Sequence, residues 1–257
     1  MCLVIVGHQQ HPRWPLLVAA NRDEFHIRAT APSAFWDEHK GLLAGRDLEA
    51  GGTWMGVTRG GRFAAVTNFR DPARTAPAPR SRGELPLNFL LGTDAPLDYL
   101  RVVEPRMSDY AGFNLLVGDG GTLCYLGNDS RGGPQALAPG IYGLSNARLD
   151  TPWPKVQLGK NTLATLLEDE SLTHDSLAMA VNDRALAAPE ALIDHGLHGD
   201  MDVLLSTQFI SAGSYGTRST TTILQGTDSL NWREISFDQQ GRLTGTVSEA
   251  FAIGSSG

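Results

Sequence analysis

The sequence predicts an α+β fold built mainly from antiparallel sheets. Short apolar runs separated by glycine-containing turns lie toward both ends of the chain, and leucines at helical intervals lie between them. The third observation is the absence of two features. Predicted strands and helices do not alternate along the sequence, and the chain has neither a Walker phosphate loop nor a GxGxxG fingerprint. A doubly wound nucleotide-binding sheet is therefore disfavoured, and we expect helices stacked on the faces of antiparallel sheets.

The N-terminal region predicts a β-hairpin. Apolar runs occupy residues 2–7 and 16–20, and the polar segment between them contains Pro12 and Pro15, as turns often do. The second run leads directly into the tetrad Asn21-Arg22-Asp23-Glu24. We place this tetrad immediately after the second strand.

A second hairpin is predicted from residues 53–58 and 62–68. Gly60 and Gly61 stand between these runs and can adopt the positive φ angles of a tight turn. The next segment, residues 70–82, holds three prolines and four arginines without apolar periodicity. It is expected to be an exposed loop that could cover a site.

Helices are predicted at residues 84–91 and 96–107, where Pro96 suits a first turn because its missing N–H has no helical partner to lose. Spaced leucines from Trp153 to about Ala188 predict two further amphipathic helices. The remaining apolar runs predict strands at residues 113–118, 122–126, 140–144, 220–224, 232–237 and 243–247. A Gly/Ser tail closes the chain.

Composition limits the classes of function. With 257 residues and 41% hydrophobic content, the chain can bury a sizeable core, and we expect a single domain over residues 1–257. The 21 basic and 28 acidic residues leave a net charge of -7, which disfavours nucleic acid as a partner. Neither a signal peptide nor an apolar run of roughly 18 residues is found, so we expect a cytoplasmic protein that is not integral to a membrane.

Sulfur and histidine patterns predict no metal and no cofactor. The chain has only two cysteines, Cys2 and Cys124, so it lacks both a disulfide framework and a paired-cysteine zinc motif. His195 and His198, with acidic neighbours, favour a solvated loop over a metal site. The stretch from Gly143 to Ala147 approximates a serine-nucleophile elbow but lacks the second glycine, which disfavours a serine hydrolase.

Cys2 is the most informative residue of the chain. Removal of Met1, which a small second residue favours, would place a thiol and an α-amino group on one carbon. An α-amino group with a pKa of about 7.7 to 8.0 can accept the thiol proton near neutral pH, so nucleophile and base would share one residue. The alternative is a buried cysteine in an N-terminal strand.

Five motifs in order identify a family. The chain resembles the NRDE family, also called the transport-and-Golgi-organisation family, over nearly its whole length. The motifs are Met1-Cys2, Asn21-Arg22-Asp23-Glu24, Thr67-Asn68-Phe69, Leu144-Ser145-Asn146-Ala147 and Gly216-Thr217-Arg218-Ser219-Thr220-Thr221. This resemblance implies an N-terminal nucleophile (Ntn) hydrolase-like fold, a four-layer αββα sandwich akin to penicillin V acylases and bile salt hydrolases.

The resemblance also implies roles for individual residues. Cys2 is expected to be the nucleophile and Asp23 to hold the terminal amine. Asn68 and Asn146 resemble the donors that stabilise the oxyanion, a large term in acyl transfer. Arg218 resembles the acylase arginine near the thiol and would favour the thiolate. Each has a structural alternative: a turn-forming aspartate, asparagines that cap strands or turns, and a surface arginine.

Asn21, Arg22 and Phe69 are expected to contribute binding contacts. The pattern departs from the acylases at one place, because they carry an arginine directly before the asparagine, where this chain has Ala20. Arg22 could reach the same space from its different backbone position, or it could pair with Glu24 or another carboxylate. Glu24 has no assigned role.

Two functions from different classes follow. The first is an N-terminal cysteine amidohydrolase acting on a non-peptide C–N bond of a small-molecule amide. The second is a non-catalytic binding or trafficking protein that uses the same pocket for haem or a lipid or acyl-CoA ligand, with Cys2 as a ligand. Because Ala20 stands where the acylases carry an arginine, the sequence separates hydrolysis from binding only slightly. It also leaves the substrate and the oligomeric state open.

Overall fold

The structure is a computed structural model that describes residues 2–70, 78–128, 132–168, 172–193 and 199–254, with the backbone alone at Cys2, Ile193, Asp200 and Met201. The described strands form two antiparallel sheets. The strands are β1 (Cys2–His8), β2 (Leu16–Phe25), β3 (Thr30–Trp36), β4 (His39–Asp47), β5 (Met55–Thr58), β6 (Phe63–Asn68), β7 (Phe113–Gly118), β8 (Leu123–Gly127), β9 (Gln135–Ala136), β10 (Gly140–Leu144), β11 (Ser211–Ala212), β12 (Tyr215–Gln225), β13 (Ser229–Phe237) and β14 (Leu243–Ala252).

The first sheet has the strand order β10-β1-β2-β12-β13-β14, with the short β11 paired to β12, and the second runs from β3 to β9 in chain order. The α-helices are α1 (Glu84–Leu91), α2 (Pro96–Val103), α3 (Pro154–Leu166), α4 (His174–Ala178), α5 (Pro189–Ile193) and α6 (Asp200–Leu204). Short 3₁₀ segments follow α2 and α4, at Glu104–Asp109 and Met179–Val181.

Three apolar cores show the order of the layers. Between the sheets, residues such as Val18, Phe63 and Trp232 form a central core. A second core joins α1 and α2 to the outer face of the second sheet, and a third joins α3 and α4 to the outer face of the first. This arrangement is a four-layer αββα sandwich and confirms the predicted fold class.

Strand β1 is continuously apolar because both of its faces are buried. Leu3 and Ile5 pack into the core beneath α3, whereas Val4 and Val6 pack into the core between the sheets. A strand buried on both faces needs apolar residues at every position.

The predicted turns and most predicted elements are confirmed, with differences at their ends. Gly61 adopts a φ angle of +82° in the hairpin turn where a glycine was expected, and Gly120 adopts +92° in the turn between β7 and β8. The helix predicted over residues 96–107 remains α-helical only to Val103, since Pro105 cannot donate a backbone hydrogen bond.

One prediction about strands was wrong, and the strands β3 and β4 were missed. The tetrad at residues 21–24 lies inside β2, because β12 pairs with β2 as far as Phe25 and supplies a partner for it. Strands β3 and β4 were not predicted, because register shifts interrupt their alternation of apolar and polar residues. None of the described helices has the length and hydropathy that a membrane-spanning helix needs.

Candidate active site

The backbone of Cys2 begins β1 and pairs directly with Arg22 of β2. Directly paired residues in an antiparallel sheet are close neighbours, with Cβ atoms roughly 4.5–5.5 Å apart. The pairing therefore places the tetrad beside the first residue of β1. The thiol itself belongs to the part of the chain that the structure does not describe.

The side chain of Asn21 is engaged entirely within the protein. Its Nδ2 donates to the carbonyl oxygens of Val181 at 2.6 Å and Gln208 at 2.9 Å, and its Oδ1 accepts from Thr220 Oγ1 at 2.6 Å. The residue is 1% exposed. Asn21 thus fastens β2 to the segments beneath it and to β12, and this structural role replaces the binding contact expected from the sequence.

Asp23 is a buried acid. Thr217 Oγ1 donates to its Oδ1 at 2.7 Å, and the residue is 1% exposed. Burial raises the pKa of this carboxyl, and the positive charges of Lys155 and Arg22 together with the Thr217 hydrogen bond act in the opposite direction. Lys155 is itself buried, with its Nζ donating to the carbonyl oxygen of Leu205 at 2.9 Å, and sequence reasoning did not single it out.

Arg22 is buried against an aromatic ring. Its guanidinium carbon lies 4.2 Å from the centre of the Trp54 ring, a cation–π contact. Burial raises the pKa of the nearby Glu234 carboxyl, and the positive charge of Arg22 partly offsets this rise. Arg22 and Trp54 together form a wall between two clefts.

The first cleft has a volume of about 250 Å³ and lies on one side of this wall. Side chains from β2, the β4–β5 turn, β6 and the segment before α1 converge there. Its described lining includes Arg22, Asp23, Glu24, Arg28, Asp47, Trp54, Asn68, Arg80 and Arg82. Residues 78 and 80–82 of the predicted loop border this site, as its sequence allowed, while residues 71–77 lie outside the described part.

Two arginines of the first cleft pair with carboxylates. Arg28 donates from Nη2 to Asp47 Oδ2 at 2.7 Å and also meets Glu49 at 3.2 Å, and Arg80 pairs with Glu84. Sequence reasoning missed Arg28, Asp47 and Trp54. They come from separate strands and turns, and no local motif marks them.

The two asparagines play different parts. Asn68 ends β6 and lines the first cleft. Asn146 is 2% exposed and is absent from the cleft lining. Its Nδ2 donates to the backbone carbonyl of Asn68 at 3.0 Å, while its Oδ1 accepts from Ser145 Oγ at 3.1 Å. The structure therefore places Asn146 as a support for Asn68, and not beside it in the cleft as the sequence suggested.

Arg218 and Phe69 lie away from the first cleft. Arg218 sits at an irregularity in β12, and its Nη1 donates to the backbone carbonyls of Phe25 at 3.0 Å and Arg28 at 3.1 Å. It lines the second cleft together with Arg22. Phe69 is half-buried and lines neither cleft, so the structure does not support its expected binding contact.

Among the residues that the structure describes, no group of three or more His, Cys, Asp or Glu side chains could hold a metal ion. His195 and His198, which the sequence analysis set aside as ligands, lie outside the described ranges. The other cysteine, Cys124, is fully buried beneath α2, and burial raises the pKa of its thiol to about 11.

The fold is an αββα sandwich whose clefts border the beginning of β1. The family model for Transport and Golgi organisation 2 matches residues 1–238, and the chain belongs to this family. The resemblance is thus confirmed under its transport-and-Golgi-organisation name.

Relatives cover most of the chain. A mouse protein, "Transport and Golgi organization 2 homolog", is 36% identical over 87% of this chain and 88% of its own length. The human homolog is 35% identical over 89% of this chain and 90% of its own length, and the Drosophila melanogaster protein is 25% identical over 65% of each.

Two solved structures resemble the fold at low identity. An N-acylethanolamine-hydrolyzing acid amidase ortholog from Caenorhabditis elegans has a TM-score of 0.45 and 8% identity over 87% of this chain and 92% of its own. A C2A mutant of conjugated bile acid hydrolase from Clostridium perfringens has a TM-score of 0.42 and 11% identity, over 98% of this chain and 96% of its own.

Proposed function

We propose that this chain is an N-terminal cysteine hydrolase that cleaves a non-peptide C–N amide bond of a small molecule, with Cys2 as nucleophile after removal of Met1. The observation that carries the proposal is the pairing of Cys2 with Arg22 at the edge of a cleft that contains Asp23 and Asn68. An acyl-transfer site needs a nucleophile, a base, a group that orients the base and a donor for the oxyanion.

In this proposal the thiolate of Cys2 attacks the amide carbon, and the Asn68 amide donates to the oxygen that becomes negative. The C–N bond then breaks, the α-ammonium group gives its proton to the leaving amine, and a thioester remains. Water next attacks the thioester while the α-amino group takes a proton from it. The acid is released and the thiol is restored, so all atoms and protons balance.

The surrounding residues support these steps. Arg22 is the nearest described cation to Cys2 in the strand pairing, and a neighbouring positive charge favours a thiolate. The carboxyl of Asp23 is buried and fixed by Thr217, which suits a group that orients an amine. Asn146 holds the Asn68 backbone, so the proposed oxyanion donor sits on a braced strand end.

Arg218 takes a smaller part in this scheme than the family resemblance implies. Its guanidinium holds the carbonyls of Phe25 and Arg28 and thereby shapes the β2–β3 turn. That turn carries Arg28 into the first cleft. We assign Arg218 to positioning of the turn, with its charge as a secondary influence on the thiol.

A binding protein for haem or a lipid or acyl-CoA ligand is the second candidate. The observation that favours it is an apolar rim, because the turns that carry Arg28 and Asp47 also expose Phe25 by 53%, Ile27 by 91% and Leu48 by 56%. The charged and polar lining of the first cleft suits a polar amide better than the faces of a porphyrin. Hydrolysis is therefore the stronger proposal.

The test is turnover of a panel of small-molecule amides, followed by detection of the released amine. Wild-type protein should hydrolyse at least one amide, and Cys2→Ala, Cys2→Ser and a variant with leucine inserted after Met1 to retain the methionine should be inactive. Cys124→Ala is the matched control, since that thiol is buried and its raised pKa keeps it unreactive. Activity in a protein that keeps Met1 would refute the mechanism, and binding of haem or acyl-CoA without turnover would support the second candidate.

A further inference from the structure

A second cleft lies on the other side of the Arg22–Trp54 wall. Its volume is about 460 Å³, larger than that of the first cleft, and both clefts share Arg22 and Trp54 as lining residues. Its outer wall is β14, which lies beyond the residues 1–238 matched by the family model.

One row of paired residues connects the second cleft to the proposed nucleophile. Cys2 pairs with Arg22, Arg22 with Ser219, Ser219 with Ser236, and Ser236 with Gly245. Strands in a sheet are about 4.8 Å apart, so this row extends about 19 Å from β1 to β14. The second cleft begins where the row leaves Arg22, and it ends at Gly245.

This connection matters because an amide has two arms, one on each side of the C–N bond. A hydrolase that binds the scissile group beside Cys2 must hold both arms, and the two clefts meet at the residue that pairs with Cys2. The first cleft contains Asn68 and Asp23 and so receives the reacting carbonyl in the proposed mechanism. The second cleft is then available for one arm.

The residues of the second cleft define the chemistry of that arm. Five residues with hydroxyl groups line this cleft, together with the guanidinium groups of Arg22 and Arg218; the five are Thr30, Ser219, Ser236, Thr244 and Thr246. The Glu234 carboxyl borders the cleft but is only 1% exposed, and its Oε2 accepts from Thr221 Oγ1 at 3.4 Å. Glu234 is held in place because its Oε1 accepts from the Ser33 backbone N–H at 2.7 Å. Hydroxyl groups and guanidinium groups thus make up most of the polar lining, which suits a group rich in hydroxyls or amides better than a hydrocarbon chain.

We propose that the second cleft is a subsite for a polar, polyhydroxyl or amide-bearing arm of the substrate. This proposal rests on the proposed function for its link to Cys2. The occupancy of the cleft itself depends only on the row of residues from Arg22 to Gly245.

Gly245 offers a way to close the cleft without disturbing the fold. A Cβ atom built on Gly245 meets nothing within 4 Å, so a larger side chain there would extend into open space. Gly245→Trp should therefore fill the far end of the second cleft. Ala250→Trp is the matched control, because Ala250 is an exposed residue of the same strand that does not line the cleft.

The first experiment measures alkylation of Cys2 by intact-mass spectrometry over time. Three probes are compared: iodoacetamide, iodoacetamide with a glucityl chain on its nitrogen, and iodoacetamide with an octyl chain there. In each reaction the sulfur forms a bond to carbon and iodide leaves with the bonding electrons. We expect the glucityl probe to react faster than the octyl probe, and Gly245→Trp to slow the glucityl probe about tenfold, as for the loss of one or two hydrogen bonds, while iodoacetamide keeps its rate.

Ala250→Trp should leave all three rates unchanged. A faster octyl probe, or a glucityl probe that reacts equally with wild type and Gly245→Trp, would overturn the subsite. The second experiment is saturation-transfer NMR with the unreactive N-glucityl acetamide, which does not depend on Cys2. A signal that is present in wild type and lost in Gly245→Trp supports the subsite even if no probe labels Cys2, in which case the proposed function fails alone. Absence of the signal in wild type overturns the subsite.

Discussion

The two helix layers of the sandwich bury different kinds of residue. Beneath α1 and α2, the core on the second sheet is apolar, with Leu85, Phe89 and Leu100 packed against residues such as Leu115. The layer on the first sheet also has an apolar core, but it adds buried polar groups at the end of β2 next to the clefts. These are Asn21, Asp23, Lys155, Gln208 and Thr217.

The two layers therefore contribute differently to stability and to chemistry. Apolar burial stabilises a fold in proportion to the area removed from water, whereas a buried polar group at best offsets its own desolvation. The layer on the second sheet is therefore expected to supply stability. The polar layer on the first sheet gives up stability in order to fix Asp23 beside the first cleft.

The largest effect is expected in the apolar layer. Phe89 is fully buried and its ring centre lies 5.3 Å from that of Tyr99. Phe89→Ala should lower the free energy of unfolding by about 3–5 kcal/mol, as large-to-small core substitutions do. Urea unfolding measures this change, and activity per folded molecule should be unaffected. Leu91→Ala, at a residue 42% exposed, is the control and should cost far less; equal losses in the two variants would contradict the assignment.

Asp23→Asn should have the opposite effect, lowering activity while leaving stability intact. It should reduce turnover about 100-fold or more, since the terminal amine loses the carboxylate that orients it. Burial raises the pKa of Asp23, so its protonated form favours the folded state; that contribution is full below the carboxyl's ordinary pKa of 3.8 and is lost as the pH rises through the folded-state pKa. At pH 7 the neutral asparagine should therefore leave the melting temperature unchanged or higher.

The control for this variant is Asp98→Asn, because Asp98 is an exposed helix residue whose side chain is 65% accessible. It should change neither turnover nor melting temperature. If Asp23→Asn melts well below wild type at pH 7 and keeps its turnover, then Asp23 is a structural residue and the contrast between the layers is false.

The smallest effect concerns His174, whose Nδ1 lies 2.8 Å from Thr222 Oγ1 in the polar layer. Burial, with a contribution from Arg233, lowers the pKa of this imidazole to about 4. A depressed pKa means that the folded state holds the neutral ring, so stability is lost as the pH falls from 6.5 through about 4. Relative to His174→Asn, wild type should lose roughly 1–2 kcal/mol over that range after allowance for solvent screening. Parallel curves of melting temperature against pH would contradict this.

Much of the fold could be predicted because its signals are local. The continuous apolar run of β1 and the glycines at the hairpin turns each record a constraint that neighbouring residues share. The strands β3 and β4 escaped prediction because their irregular register leaves only short stretches of alternation, and β2 was made too short because its last residues are polar. Those residues are in the strand because β12, nearly 200 positions later in the chain, pairs with them.

The candidate site was predictable only in part for the same reason. Cys2, Asp23 and Asn68 belong to motifs that a sequence displays directly. Trp54 and Lys155 reach the site through tertiary packing and carry no motif. The sequence also could not show that Asn146 supports Asn68 from behind, since that depends on a single hydrogen bond between segments 78 residues apart.

The most direct test of the central claim is the intact mass of the purified protein. If Cys2 is the catalytic amino terminus, the protein should be lighter than its translated sequence by one methionine residue, and the variant with leucine inserted after Met1 should keep its full mass and be inactive. A wild-type protein that retains Met1 would contradict the account, because Cys2 would then have no free α-amino group to serve as its base.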